Sequence, residues 1–191
     1  MTRRQLSAGF TLIELLVTLV IVALGLLGLG AFQVRTQQMG LEAYNRAQAL
    51  VLLDAIVNRI NANRQTAQCY AITLPTGAPY LGYADVNHLA TITCAGFGDV
   101  NTQQLAVDDL TEWDQTLKGA MESVAGNAVG AALGARGCIM FDAATTTYTV
   151  AVAWQGMTDS EAPAIACGNN RYGNETRRRV VWTTFRPATL L

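Results

Sequence analysis

The chain has 191 residues, 51% of them hydrophobic, with 13 basic and 14 acidic side chains and a formal charge of -1. That balance gives no basic surface for nucleic acid. The four cysteines and single histidine, widely spaced and without a Cys-x-x-Cys pair, support neither a zinc site nor a thioredoxin-like redox motif.

The apolar residues are concentrated at the start. Arg3 and Arg4 precede Ser7-Ala8-Gly9, and Phe10-Thr11-Leu12-Ile13-Glu14-Leu15-Leu16 then opens a long hydrophobic run. From Phe10 to Phe32 Glu14 is the one charged side chain. As a helix this stretch covers about 34 Å, enough to cross a bilayer. A secretory signal peptide is cut after its apolar region, at small residues. Here Val22-Ala23-Leu24-Gly25 is a poor site of that kind, whereas Gly9-Phe10 lies before the run. Cleavage at Gly9 leaves a protein that begins with its own membrane helix.

Gly9-Phe10-Thr11-Leu12-Ile13-Glu14, followed by an apolar helix, resembles the N-terminal signal of type IV pilins and of the pseudopilins of type II secretion. The resemblance implies that a prepilin peptidase cuts after Gly9 and methylates Phe10, and that Glu14 serves assembly. It implies a bacterial inner-membrane protein with one span and a periplasmic head, passing later into an extracellular pilus. The partners it implies are other pilins and minor pilins met through the N-terminal helix, with a tip adhesin as a further class. Removing residues 1–9 lowers 13 basic side chains to 11 against 14 acidic, a balance of about -3.

Residues 10–64 contain no proline, and many major pilins have one there, so its absence leans towards a minor subunit. Within the run, Ala23, Gly25, Gly28, Gly30 and Ala31 cluster, each glycine costing about 1 kcal/mol of helix propensity unless close helix contact recovers it. Beyond Phe32 the helical period persists: Leu50, Leu53, Val57 and Ile60 form a stripe, with Leu52 and Ile56 beside it, for packing on a head. Asn61 to Asn63 and Gln65 end the helix, and Pro75, Gly77, Pro79 and Gly82 mark a loop.

Residues 89–94 read as a short strand. Asp108 or Asp109 reads as a cap for a helix carrying Leu110, Trp113, Leu117 and Met121 and ending near Gly126. Cys138 to Phe141, a turn at Asp142 to Thr146 and Tyr148 to Trp154 read as a hairpin, with Arg179 to Phe185 as a third strand. The expected organisation is a leader at 1–9, a transmembrane and assembly helix at 10–64 and a globular head at 65–191. The fold class is α+β, the long helix packed on a small antiparallel sheet; this too resembles the pilin fold. The Leu24-Gly25-Leu26-Leu27-Gly28-Leu29 segment, Asp109 to Trp113 and the last two strands resemble the PilV-like pilus-modification branch of minor pilins.

Cys69, Cys94, Cys138 and Cys167 all follow the apolar run, so an oxidising compartment would favour two disulfides. Of three connectivities, Cys69 with Cys94 and Cys138 with Cys167 is preferred because each bridge staples one irregular loop. His88 sits near Asp85 and Asn87, a faint likeness to a calcium loop that lacks its glycine and terminal glutamate. Glu112 and Asp114 lie two apart on a helix and do not share a face; Glu122 and Glu161 are isolated. Arg177-Arg178-Arg179 guards a strand edge or meets an acidic neighbour. No catalytic, cofactor-binding or metal-binding residue is assigned, and an enzyme is not expected. The leading expectation is a minor pilin incorporated into, or priming, a type IV pilus. The alternative is a minor pseudopilin of type II secretion.

Overall fold

The computed structural model describes residues 9–83, 88–119, 123–124, 127–128, 132 and 134–188. By internal contacts the chain forms two units, Met1–Leu41 and Glu42–Leu191, so helix α1 (Leu12–Ala62) begins in one and ends in the other. In the first unit the described side chains from Phe10 onward are exposed.

In the second unit, Ala49, Leu53, Ile56 and Ile60 are buried at spacings of four and three, which puts them on one helical face. The stripe is rotated slightly from the one expected: Ala49 is buried where Leu50 is exposed, and Val57 is half-buried. Asn63 stops the helix and donates its amide to the Thr102 carbonyl at 2.8 Å and the Tyr70 hydroxyl at 3.2 Å. A 3-10 helix, Arg64–Tyr70, follows.

The sheet is antiparallel, in the order β1 (Leu81–Gly82), β4 (Arg136–Asp142), β5 (Thr147–Gln155), β6 (Arg178–Phe185). A separate two-residue pairing joins β2 (Ser123–Val124) to β3 (Asn127–Ala128). The register Ile139↔Val150 and Val152↔Val181 places these side chains, with Tyr148 and Trp154, in one cluster with the α1 stripe. The alternate residues of β5, Ala151 and Ala153, face a second cluster with Tyr80, Cys138, Cys167 and Tyr172. Because both faces are covered, β5 is apolar without a clean in-and-out alternation. The molecule is α+β, with the long helix packed on a four-stranded antiparallel sheet, in keeping with the pilin fold.

Helix α2 (Val100–Leu117) corrects the expected start at Asp108 or Asp109. Asp99 is its cap: the carboxylate accepts from the backbone of Asn101 at 2.8 Å and Thr102 at 3.0 Å, while the Thr102 hydroxyl accepts from the Asp99 N–H. Asp109 is an interior residue of α2, buried against Arg59 and Tyr70. The helix ends at Leu117; Met121, Glu122 and Gly126 lie outside the described residues. Trp113 joins three elements. Its indole N–H donates to the Leu52 carbonyl of α1 at 2.9 Å, and its ring covers Gly137 of β4 so closely that a Cβ there would lie 2.3 Å from it.

Residues 89–94 are not a strand: a 3-10 turn spans His88–Thr91, and the chain then runs irregularly to Cys94. A strand needs a ladder partner, whereas this segment is tied by Cys94 to Cys69 of the 3-10 helix. The hairpin and the last strand lie where the alternating apolar residues placed them.

Candidate assembly site

Gly9, Phe10 and Thr11 precede the first turn of α1. The Thr11 hydroxyl accepts from the Glu14 backbone N–H at 3.4 Å, and its carbonyl from Leu15 N–H at 3.3 Å, so Thr11 caps the helix. Thr11-x-x-Glu14 has the spacing of a capping box, a signal in the sequence that the emphasis on Glu14 alone passed over. Glu14 sits in the first turn, where the N-terminal end of the helix dipole favours a negative charge. Its carboxylate has no ion-pair partner among the described residues.

A Cβ added at Gly9, Gly25, Gly28, Gly30 or Gly40 would meet nothing within 4 Å. Packing within this chain therefore does not require glycine at any of them. Phe10 is 81% exposed, and the large apolar residues from Leu12 to Val34 are exposed as well. Hydroxyl groups along this stretch are satisfied locally: Thr18 donates to the Leu15 carbonyl at 2.9 Å and Thr36 to that of Phe32 at 3.0 Å. By length and composition α1 suffices to cross a membrane.

Residues 4–30 match the prokaryotic N-terminal methylation motif. The match supports a type IV pilin or pseudopilin, and with it processing by a prepilin peptidase and pilin assembly. The matched stretch includes Gly9 and Phe10, ahead of α1, and Glu14 in its first turn. It does not reach the head. No curated protein and no solved structure matches the chain.

The head carries the remaining singled-out residues. Cys69 is bridged to Cys94 and Cys138 to Cys167, with Cα separations of 4.9 and 5.8 Å. Glu112 and Asp114 point to different partners: Glu112 meets Arg59 at 2.6 Å, while Asp114 pairs with Lys118 and accepts from Gly82 N–H at 2.8 Å. Hydrogen bonding and charge pairing with the Arg59 guanidinium hold the carboxyl of exposed Glu112 below the usual carboxylate range. His88 packs edge-on to Tyr80, ring centroids 5.5 Å apart. Asp85 and Asn87 lie outside the described residues, as do Glu122, Arg3 and Arg4.

The three arginines are satisfied inside the chain. Arg177 pairs with Asp159 at 3.2 Å, Arg178 with Glu175 at 2.6 Å and Arg179 with Glu42 at 3.5 Å. Arg178 is buried and also donates to the carbonyls of Pro163, Ile165 and Cys167, which fixes the loop that carries Cys167. Glu42 accepts from Met157 N–H at 2.8 Å, tying α1 to the end of β5 at the first residue of the second unit. Sequence reading missed Arg136, buried with its guanidinium carbon 4.6 to 5.5 Å from the ring centres of Tyr80, Tyr83 and Tyr172. Its tyrosine neighbours are scattered along the chain, and no local pattern reveals them. Among the described residues no three His, Cys, Asp or Glu side chains converge as a metal site would require.

Proposed function

We propose that the chain is a minor pilin. It is made as an inner-membrane precursor with residues 1–9 as leader and the head in the periplasm. Prepilin peptidase cuts between Gly9 and Phe10 and methylates Phe10, and residues 10–64 then carry the head, 65–191, into a type IV pilus or its initiation complex. The observation that carries this reading is the methylation motif at residues 4–30, overlapping a helix start whose large apolar side chains are exposed. The four glycines of α1 with open space around them, Gly25, Gly28, Gly30 and Gly40, favour it further, because close approach by neighbouring helices restores what each loses in propensity. The function is structural, without a catalytic centre.

Glu14 has a specific task in this scheme. A carboxylate inside an apolar layer needs a cation, and the amine freed at Phe10 of an adjoining subunit supplies one. The proline-free run and the closing strands favour the PilV-like branch. A minor pseudopilin of type II secretion would use the same N-terminus; its head would be found with secretion components rather than in sheared pili. Intact mass and peptide sequencing of protein from cells with active prepilin peptidase test the reading: the chain should start at methylated Phe10, and retention of Met1 to Gly9 overturns it. Glu14→Gln should leave cleavage and head stability unchanged but reduce incorporation beside other pilins, read by immunoblot of sheared pili. Wild-type incorporation of that variant removes the pairing role.

A further inference from the structure

An open groove of about 690 Å³ lies on the head at the turn end of the sheet, between the 3-10 helix, the loop at 96–98 and the chain after β6. Its walls include Arg64, Gln68, Phe97, Phe141, Tyr148 and Arg186, and among the described residues no Asp or Glu lines it. Arg64 is half-buried, and among the described residues its guanidinium has neither a hydrogen bond nor an ion pair. Arg186 is exposed and, among the described residues, gives one hydrogen bond, to the Thr147 hydroxyl at 3.1 Å, and meets no carboxylate. By contrast Arg59, Arg177, Arg178 and Arg179 each meet an acid. Two uncompensated guanidinium groups thus share one concavity on a domain in which acidic side chains outnumber basic ones.

We propose that this groove binds an extended acidic peptide segment of a partner protein, Arg64 and Arg186 each taking a carboxylate and the apolar wall taking the side chain between them. Guanidinium groups recognise carboxylates with paired hydrogen bonds, and the size suits a few residues. Tyr148 is buried between Phe141, with ring centroids 4.7 Å apart, and Phe185, at 5.7 Å, so it offers a sugar ring no open face to stack on. A nucleic acid would extend past two cations onto a net acidic surface, which repels it. The Cys69–Cys94 bridge links the 3-10 helix to the loop at 96–98, so two walls of the groove are covalently joined. This inference concerns the head alone and stands or falls apart from processing at Gly9.

The test uses the full oxidised chain in detergent micelles and fluorescence anisotropy of a labelled acetyl-Glu-Leu-Asp-Leu-Glu-amide. The acidic peptide should bind, and its Gln-Leu-Asn-Leu-Gln analogue should bind at least about tenfold more weakly, as should Arg64→Gln or Arg186→Gln protein with the acidic peptide. Binding should also weaken as salt rises. If Arg64→Gln fails to fold, Arg186→Gln, at an exposed position outside the strands, decides. No binding by wild type, equal binding of the neutral peptide, undiminished binding by Arg186→Gln, or tighter binding of trigalacturonate or a DNA oligonucleotide overturns the proposal.

Discussion

Asp109 gathers groups from three parts of the head. It accepts from Arg59 of α1 at 2.8 Å and from the Tyr70 hydroxyl at 2.5 Å, and Asn63 connects that tyrosine to the Thr102 carbonyl. Asp109→Asn keeps the volume and removes the charge. Breaking a fully buried pair costs about 3 to 5 kcal/mol, but the Arg59 side chain is 32% exposed and keeps Glu112, so the loss should be about 1 to 3 kcal/mol. Denaturant unfolding measures it; Glu112→Gln, at the exposed end of the same arginine, should change stability by clearly less. Equal effects of the two substitutions contradict this ranking. Burial raises the pKa of the Tyr70 hydroxyl, reinforced by its bond to Asp109, and pushes those of Tyr148 and Tyr172 up to about 12, in Tyr172 against the opposing pull of Arg136. The unfolded chain ionises its tyrosines near pH 10, so their contribution is complete below about pH 10 and is lost as pH rises through the folded values. Head stability should therefore fall from about pH 10 upward, and Tyr148→Phe should flatten that fall. A fall of unchanged slope in the variant refutes Tyr148's share.

At the scale of elements, the α2 cap is the sharpest case. Asp99→Ala removes acceptors for two backbone N–H groups and should cost about 1 kcal/mol, whereas Asp108→Ala, on the exposed surface, should cost little. Similar losses at both sites would argue against Asp99 as the cap. The same helix shows what local pattern conveys. Asp108 and Asp109 stand before a well-spaced apolar series and look like a cap, but Asp99 with Thr102 closes the box nine residues earlier, over a stretch with little apolar periodicity. Long-period signals were legible: the α1 stripe, the hairpin at 138–154 and the last strand. Residues 89–94 have strand-like composition, yet strand formation depends on a free partner, which composition does not record. At the candidate site, Gly9, Phe10 and Glu14 stand out in the sequence because they lie in one contiguous stretch, and that stretch falls within the matched motif at residues 4–30. The Arg136 cluster and the Arg64–Arg186 groove do not stand out, since each depends on side chains brought together across more than thirty residues.

At the scale of the molecule, the two cystines divide the work of holding the head. Cys69–Cys94 closes a loop of sequence separation 25 around the 3-10 helix, and Cys138–Cys167 one of separation 29 that joins β4 to the loop fixed by Arg178. Restriction of the unfolded chain by loops of this length stabilises by about 3 to 4 kcal/mol per bridge. For a domain of this size that corresponds to roughly 10 °C of melting temperature for each. The folded protein should therefore resist alkylation until reduced, and Cys69→Ser/Cys94→Ser and Cys138→Ser/Cys167→Ser should each melt about 10 °C lower. The second pair should be the more damaging, because Cys138 and Cys167 are both fully buried and cover Ala151 and Ala153 of β5, whereas Cys94 retains some exposure. The unit Met1–Leu41 contains no cysteine, so its helix should give the same circular dichroism contribution in every variant. Differential scanning calorimetry and far-ultraviolet circular dichroism of the full chain in detergent test the scheme. Four freely labelled thiols in unreduced, folded protein, or melting temperatures unchanged by either double substitution, would remove the cystines from the account of how the head is held.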